Sequence, residues 1–171
     1  MPISPLNKIL ESVAKIVPAD LAAILAMTPD RKLRVLASAG ALATPKLREL
    51  SIDLNQRPAL RAALEKSQPT VMHSEPGEEI GEPDTYEGAV SLPGDHSCLV
   101  APLRHENELE GLLTVDVAVC RAFEPQQVAA IGALADLAAR LIHEEQRADA
   151  LSKDLDQLAI WRASFKEDGD T

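Results

Sequence analysis

The sequence predicts an α+β domain in which one antiparallel sheet is flanked by helices, with the N- and C-terminal helices packed together and a long C-terminal helix. Apolar residues recur at helical spacing near both ends of the chain, and short apolar or alternating segments lie between them. From Glu124 the helical pattern continues, with no proline after Pro125, until Gly169. Packing these helices against a sheet buries both sets of apolar residues.

The first half of the chain carries clear signals for the start and end of each element. Ser4 followed by Pro5 is typical of a helix start, because proline fits the first helical turn, and Pro18 ends the same pattern. A later proline, Pro58, predicts the start of a second helix. In order, the predicted elements are a helix at 4–17, a hairpin of strands at 20–27 and 31–40, a strand at 50–54, a helix at 58–67 and a strand at 69–73.

An acidic segment separates the two halves. Residues 74–95 hold seven Asp and Glu residues, three prolines and four glycines, with no apolar period. This composition predicts a long loop, which is either a solvated insertion or a cover over a binding site. After it, strands at 96–105 and 109–119 form a second predicted hairpin, followed by the long helix.

The long helix divides into two parts. Up to about residue 145 its apolar set is broad enough to face both a sheet and a neighbouring helix. Beyond it, apolar positions follow steps of three and four, which is the spacing of a coiled coil; they are Ala148, Leu151, Leu155, Leu158 and Phe165, with Arg162 in register. We therefore expect a domain at 1–145 and a helical extension at 146–171 that pairs with a second copy of the chain, or else folds back or frays.

Composition excludes several classes of function. The net charge of −10 repels polyanions and aromatic residues make up 2% of the chain, so direct nucleic-acid binding is not expected. No apolar run is long enough to span a membrane, which predicts a cytoplasmic protein. With Cys98 and Cys120 as its two cysteines, the chain has no disulfide framework, and both are predicted to be free thiols.

Two strands carry residues suited to a binding site. His96 and Cys98 stand two apart, so their side chains project to one face; this permits a metal site but also fits a core thiol beside a histidine. Asp116 lies inside an apolar strand, where a carboxylate needs a donor or a cation. Backbone N–H groups near the strand end are an equally good partner. The alternation predicts a mixed face with Leu112, Thr114 and Asp116, and an apolar face with Leu113, Val115 and Val117.

The acidic loop adds a second group of candidates. Asp84, Tyr86 and Glu87 lie between Pro83 and Gly88, and Tyr86 is the one tyrosine of the chain. Solvated charge explains these residues, but they also stand where they can join the strand candidates above one end of the sheet. Mixed nitrogen, oxygen and sulfur ligands suit iron or zinc better than calcium or magnesium. The sequence contains no glycine-rich phosphate loop, serine nucleophile elbow or CxxC pair, so we do not expect an enzyme.

Several segments resemble the GAF domain. They are PTVMH at 69–73, CLVAPL at 98–103 and LEGLLTVDVAVCRAFEP at 109–125, and the resemblance covers residues 4–145. With DTYEG at 84–88, they are most similar to the N-terminal sensor domains of the bacterial nitric oxide reductase transcription regulators. The resemblance implies a GAF-like fold with a mononuclear non-haem iron that binds nitric oxide.

Carried onto this chain, the resemblance implies four iron ligands, which are Glu87, His96, Cys98 and Asp116, with Asp84 and Tyr86 beside the cofactor. Two positions depart from the regulators: Glu87 stands where they have aspartate, and Ala59 where they have an arginine implicated in signalling. The regulators continue into ATPase and DNA-binding domains that this sequence lacks. We therefore expect the signal to pass to a protein partner, or the chain to be the sensor part of a larger protein.

Two other functions on the same scaffold remain open. Free methionine-R-sulfoxide reductases also use cysteines on a GAF domain, although paired reactive cysteines are not evident here. A GAF domain that binds a small organic ligand, or that serves only to dimerise, also fits the residues.

Overall fold

The computed structural model contains one six-stranded antiparallel sheet with helices on both faces. It describes residues 4–73, 86, 89–90, 92, 96–119 and 122–167. The strands are β1 (Leu21–Met27), β2 (Lys32–Ala39), β3 (Ser51–Asp53), β4 (Thr70–His73), β5 (Ser97–His105) and β6 (Glu108–Val117). Their order across the sheet is β3-β2-β1-β6-β5-β4, so the last hairpin lies at the centre. The predicted α+β fold and each predicted strand are confirmed.

Three α-helices complete the fold, and all three were predicted. They are α1 (Pro5–Ile16), α2 (Pro58–Glu65) and α3 (Pro125–Glu167). The structure also has two short 3-10 helices, at Pro45–Glu49 and Leu54–Gln56, which the sequence did not predict. Such short turns carry no apolar period; the second depends on the Asp53 side chain, which accepts a hydrogen bond from the Asn55 N–H at 2.9 Å.

One face of the sheet packs against α1 and α3. Apolar side chains of β5 and β6, including Leu99, Leu113 and Val115, form a single core with the buried residues of both helices. On α3 the buried residues are Ile131, Ala135, Ala138, Ala139 and Ile142. The predicted contact between the two terminal helices is therefore confirmed, and the apolar face of β6 is the one that meets them.

The opposite face packs against α2 and the 3-10 helices, and it includes polar residues. Leu60 and Leu64 of α2 lie in this second core together with Val100 and Leu112 of the central strands. Arg104 ties α2 to β5, because its Nη2 donates a 2.6 Å hydrogen bond to the carbonyl of Leu64 at the end of the helix.

Few residues of the predicted acidic loop fall among those described. Tyr86 and Val90 are buried in the second core. The Thr44 hydroxyl donates to the carbonyl of Ala89 at 2.9 Å, which fixes this part of the loop beside the first 3-10 helix. Of the two alternatives for this segment, a solvated insertion does not fit Tyr86 and Val90, because both are buried.

The second half of α3 leaves the body of the domain. Its last buried residue is Ile142, and every residue from Glu144 to Phe165 is exposed. All six predicted seam positions lie in this exposed part, and Trp161 packs edge-on against Phe165 with ring centroids 4.6 Å apart. Among the described residues, no helix is long and apolar enough to cross a membrane.

Candidate functional site

Cys98 and Asp116 stand directly opposite each other on the central strands β5 and β6. Their side chains lie on the α2 side of the sheet, because Val100 and Leu112, which share their alternation, belong to that core. The mixed face predicted from the sequence is therefore confirmed. Asp20 fixes this end of β6: its N–H donates to the Asp116 carbonyl at 3.0 Å, and its Oδ2 accepts from the Ala118 N–H at 2.7 Å.

A buried tyrosine covers the carboxylate. Asp116 is 1% exposed, and the hydroxyl of Tyr86 donates a hydrogen bond to its Oδ2. The same hydroxyl oxygen is 3.0 Å from the Oγ1 of Thr114, two residues earlier on β6. Because tyrosine has one hydroxyl proton, the Thr114 hydroxyl is the donor in this second contact. The Thr114 hydroxyl thus donates to Tyr86, and Tyr86 donates to Asp116, in a hydrogen-bonded chain inside an apolar core.

Burial keeps the neighbours of Asp116 protonated. It raises the pKa of Tyr86 well above 10.0, and the negative charge of Asp116 raises it further. Burial likewise raises the pKa of the Cys98 thiol well above 9.0, with further contributions from the charge of Asp116 and a hydrogen bond to it. At neutral pH the site therefore presents a neutral phenol that donates to the Asp116 side chain, with a neutral thiol beside it.

The structure places some of the predicted site residues and leaves others outside the described residues. Tyr86, Cys98 and Asp116 come together, and the half-buried His96 lies immediately before β5. Asp84 and Glu87 lie outside the described residues, and so does Cys120. Cys98 is a free thiol, as predicted.

Arg57 is a buried residue that sequence reasoning treated only as a neighbour of the helix start. It is the N-cap residue of α2 and is 2% exposed. A cation is disfavoured at a helix N-terminus, where the partial charge is positive, and burying it costs further free energy. An arginine directly before a helix-starting proline was the available signal.

A second polar cluster, also missed from the sequence, lies on the α3 side of the sheet. The Nδ1 of His143 on α3 is 2.8 Å from Oε1 of Glu110 on β6. Glu110 is 8% exposed. The ring of His105, at the end of β5, packs against that of His143 with centroids 4.3 Å apart. The cluster ties the long helix to the central hairpin.

The donor atoms of the site agree with the resemblance to an iron-binding domain as far as they are described. Cys98 and Asp116 offer sulfur and oxygen on adjacent strands, a combination that suits iron. Within the described ranges, however, no group of three or more His, Cys, Asp and Glu side chains is placed to hold a metal ion. A metal ion at this place would need further ligands, and the candidates predicted from the sequence are His96, Asp84 and Glu87.

Comparison with known proteins agrees with the fold. The family model described as GAF domain matches residues 5–143, and no curated protein sequence matches the chain significantly.

Among solved structures, a GAF domain/HD domain protein from Geobacter sulfurreducens superposes with a TM-score of 0.68 at 18% identity, over 82% of this chain and 91% of that one. The blue-light absorbing form of the PixJ GAF domain from Thermosynechococcus elongatus gives 0.61 at 15% identity, over 88% and 89%. A type II free methionine-R-sulfoxide reductase from Thermoplasma acidophilum gives 0.62 at 21% identity, over 81% and 90%. At these identities the likeness establishes the fold alone.

Proposed function

The chain belongs to the GAF domain family, and we propose that it is a cytoplasmic sensory domain that binds nitric oxide through a mononuclear non-haem iron and regulates a protein partner. The observation that carries this proposal is the opposition of Cys98 and Asp116 on the central strands, beneath the buried Tyr86. A thiol and a carboxylate this close inside an apolar core are unusual unless they serve a ligand.

Each residue of the site has a role in this proposal. Cys98 and Asp116 would hold the iron, with His96 and a carboxylate from Asp84 or Glu87 as its further ligands. When bound, the iron would supply direct bonding to a gas molecule. Tyr86 fixes the orientation of the Asp116 carboxylate through its hydrogen bond, as an outer partner of a metal ligand does, and its ring excludes water.

The route from the site to the partner runs through β5. Leu99, next to Cys98, points to the opposite face and lies in the core with Ile131 and Ala135 of α3. A shift of Cys98 therefore changes the packing under the long helix. The exposed second half of α3 carries that change out of the domain body to a regulatory partner.

Anaerobic loading with ferrous iron tests the proposal. We expect one iron per chain, and a paramagnetic resonance signal that requires both iron and nitric oxide. Asp116→Asn and Cys98→Ser should each lower the iron content and the signal several-fold. Asp149→Asn, an exposed carboxylate on α3, is the matched control and should keep both. Unchanged iron binding in the Asp116→Asn, Cys98→Ser double variant contradicts the site.

A small organic ligand in the same place is a second candidate, and one observation favours it. Asp116 already accepts the Tyr86 hydrogen bond, which gives a complete polar anchor without a metal. Metal-free protein should then bind the compound, and Tyr86→Phe should weaken that binding. Failure of iron to bind, together with saturable uptake of an organic compound from cell extract, would favour this function over the first.

A cysteine-based reductase is less compatible with the site. The nucleophile in such enzymes is a thiolate formed without a metal ion, whereas burial and the charge of Asp116 raise the pKa of Cys98 and keep it neutral in the metal-free chain; a bound metal ion would replace that proton. We therefore propose no catalytic role for this residue. Turnover of free methionine sulfoxide, abolished by Cys98→Ser, would overturn that part of the proposal.

A further inference from the structure

The exposed half of α3 carries a stripe whose charges select the orientation of a partner helix. Eight positions along α3 follow alternating steps of three and four residues, and we call them together the extended seam. They are Leu141, Glu144, Ala148, Leu151, Leu155, Leu158, Arg162 and Phe165. Seven of them are exposed and Leu141 is half-buried at the edge of the domain core. Of the eight, two are charged, Glu144 near the beginning and Arg162 near the end.

We propose that α3 pairs with α3 of a second copy of this chain in an antiparallel arrangement, with Leu151 opposite Leu155 of the second copy. In a two-stranded parallel pair each seam residue meets its own equivalent. Glu144 would then face Glu144, and Arg162 would face Arg162, which places two repulsive layers in one short interface.

The antiparallel register removes both conflicts. With Leu151 opposite Leu155, Glu144 lies opposite Arg162 of the second copy, and the two-fold symmetry repeats this ion pair at the other end. The remaining layers match in size and polarity: the small Ala148 meets Leu158, and Leu141 meets the ring of Phe165. Every layer of the extended seam is therefore either apolar or oppositely charged.

The length of the helix agrees with this register. The overlap runs from residue 141 to residue 165, which is about 36 Å at 1.5 Å per residue. It ends at Leu141, which lies at the edge of the domain core next to the buried Ile142. An overlap of roughly three and a half heptads gives an association that can be measured in the micromolar range. The proposal depends on α3 alone and stands independently of the iron site.

Charge exchange tests orientation and pairing together, with sedimentation equilibrium of the whole chain as the measurement. In the antiparallel pair, Glu144→Arg and Arg162→Glu should each weaken dimerisation roughly tenfold, because each creates two like-charge contacts per dimer. The double variant restores both ion pairs and should dimerise within about threefold of the unchanged protein. Asp156→Arg and Lys153→Glu make the same charge changes outside the extended seam and should have little effect.

The opposite results are equally clear. In a parallel pair the two single charge exchanges only swap one repulsive layer for another, so unchanged dimerisation in both overturns the proposal. A double variant that fails to recover also overturns it, and so does a protein that is monomeric at tens of micromolar. Leu155→Lys with Leu158→Lys supplies the monomer reference, and circular dichroism confirms that each variant keeps its helix.

Discussion

The hydroxyl of Tyr86 donates a hydrogen bond to the carboxylate of Asp116, 30 residues further along the chain, and both side chains are almost fully buried. This contact joins Tyr86, from the predicted acidic loop, to β6 in the interior of the sheet. Burial is the main reason that the phenol and the neighbouring Cys98 thiol both keep their protons, and the charge of Asp116 adds to it.

Removing this hydroxyl should destabilise the domain. Tyr86→Phe leaves Asp116 buried with one donor fewer, which we expect to cost about 1–3 kcal/mol of unfolding free energy. Ser164→Ala removes an exposed hydroxyl that donates to a backbone carbonyl, and it should change stability by less than about 0.5 kcal/mol. Urea denaturation measures both. Equal effects of the two substitutions would mean that the Tyr86 hydrogen bond contributes nothing beyond an exposed one.

Gly111 on β6 should not tolerate a side chain. A Cβ at this position would lie 1.9 Å from the carbonyl oxygen of Leu25 on β1, so Gly111→Ala must push β1 and β6 apart. We expect a loss of more than about 2 kcal/mol. At Gly132, inside α3, a Cβ would meet only the Pro69 ring at 3.2 Å, and alanine is the better helix former. The melting temperature of Gly132→Ala, measured by thermal unfolding, should therefore be well above that of Gly111→Ala.

The contact between His143 and Glu110 should hold the long helix on the sheet. His143→Ala removes the partner of a buried carboxylate, and we expect it to cost about 1–3 kcal/mol of unfolding free energy. Glu145→Ala, an exposed residue on α3 outside the extended seam, is the control and should be almost neutral. In a double-mutant cycle, Glu110→Ala with His143→Ala should cost less than the sum of the single changes. Strict additivity would contradict the interaction.

These contacts also mark how far the sequence could predict the molecule. The spacing of apolar residues, together with the turn residues, predicts every strand and α-helix described. The alternation along 109–119 places Asp116 on the mixed face of β6. The sequence does not predict the burial of Tyr86, because its loop has no period. Nor does it predict the contact of Glu110 with His143, which depends on where α3 crosses the sheet. Arg57 was missed because a buried cation at a helix start opposes the usual preference.

The protonation of the site predicts how stability depends on pH. Cys98 and Tyr86 both have a raised pKa in the folded chain, so folding strengthens proton binding at both. This contribution is fully present below the ordinary thiol value of 9.0 and decreases as the pH rises above it, because the unfolded chain then releases a proton that the folded chain retains.

Cys98→Ser keeps a hydroxyl donor for Asp116 but removes the titrating thiol. Above about pH 9 the unchanged protein should therefore lose up to about 1.4 kcal/mol per pH unit relative to this variant, whereas the difference should stay constant below about pH 8. Urea denaturation across this range measures it, and parallel curves for the two proteins would show that Cys98 titrates in the folded domain as it does in the unfolded chain.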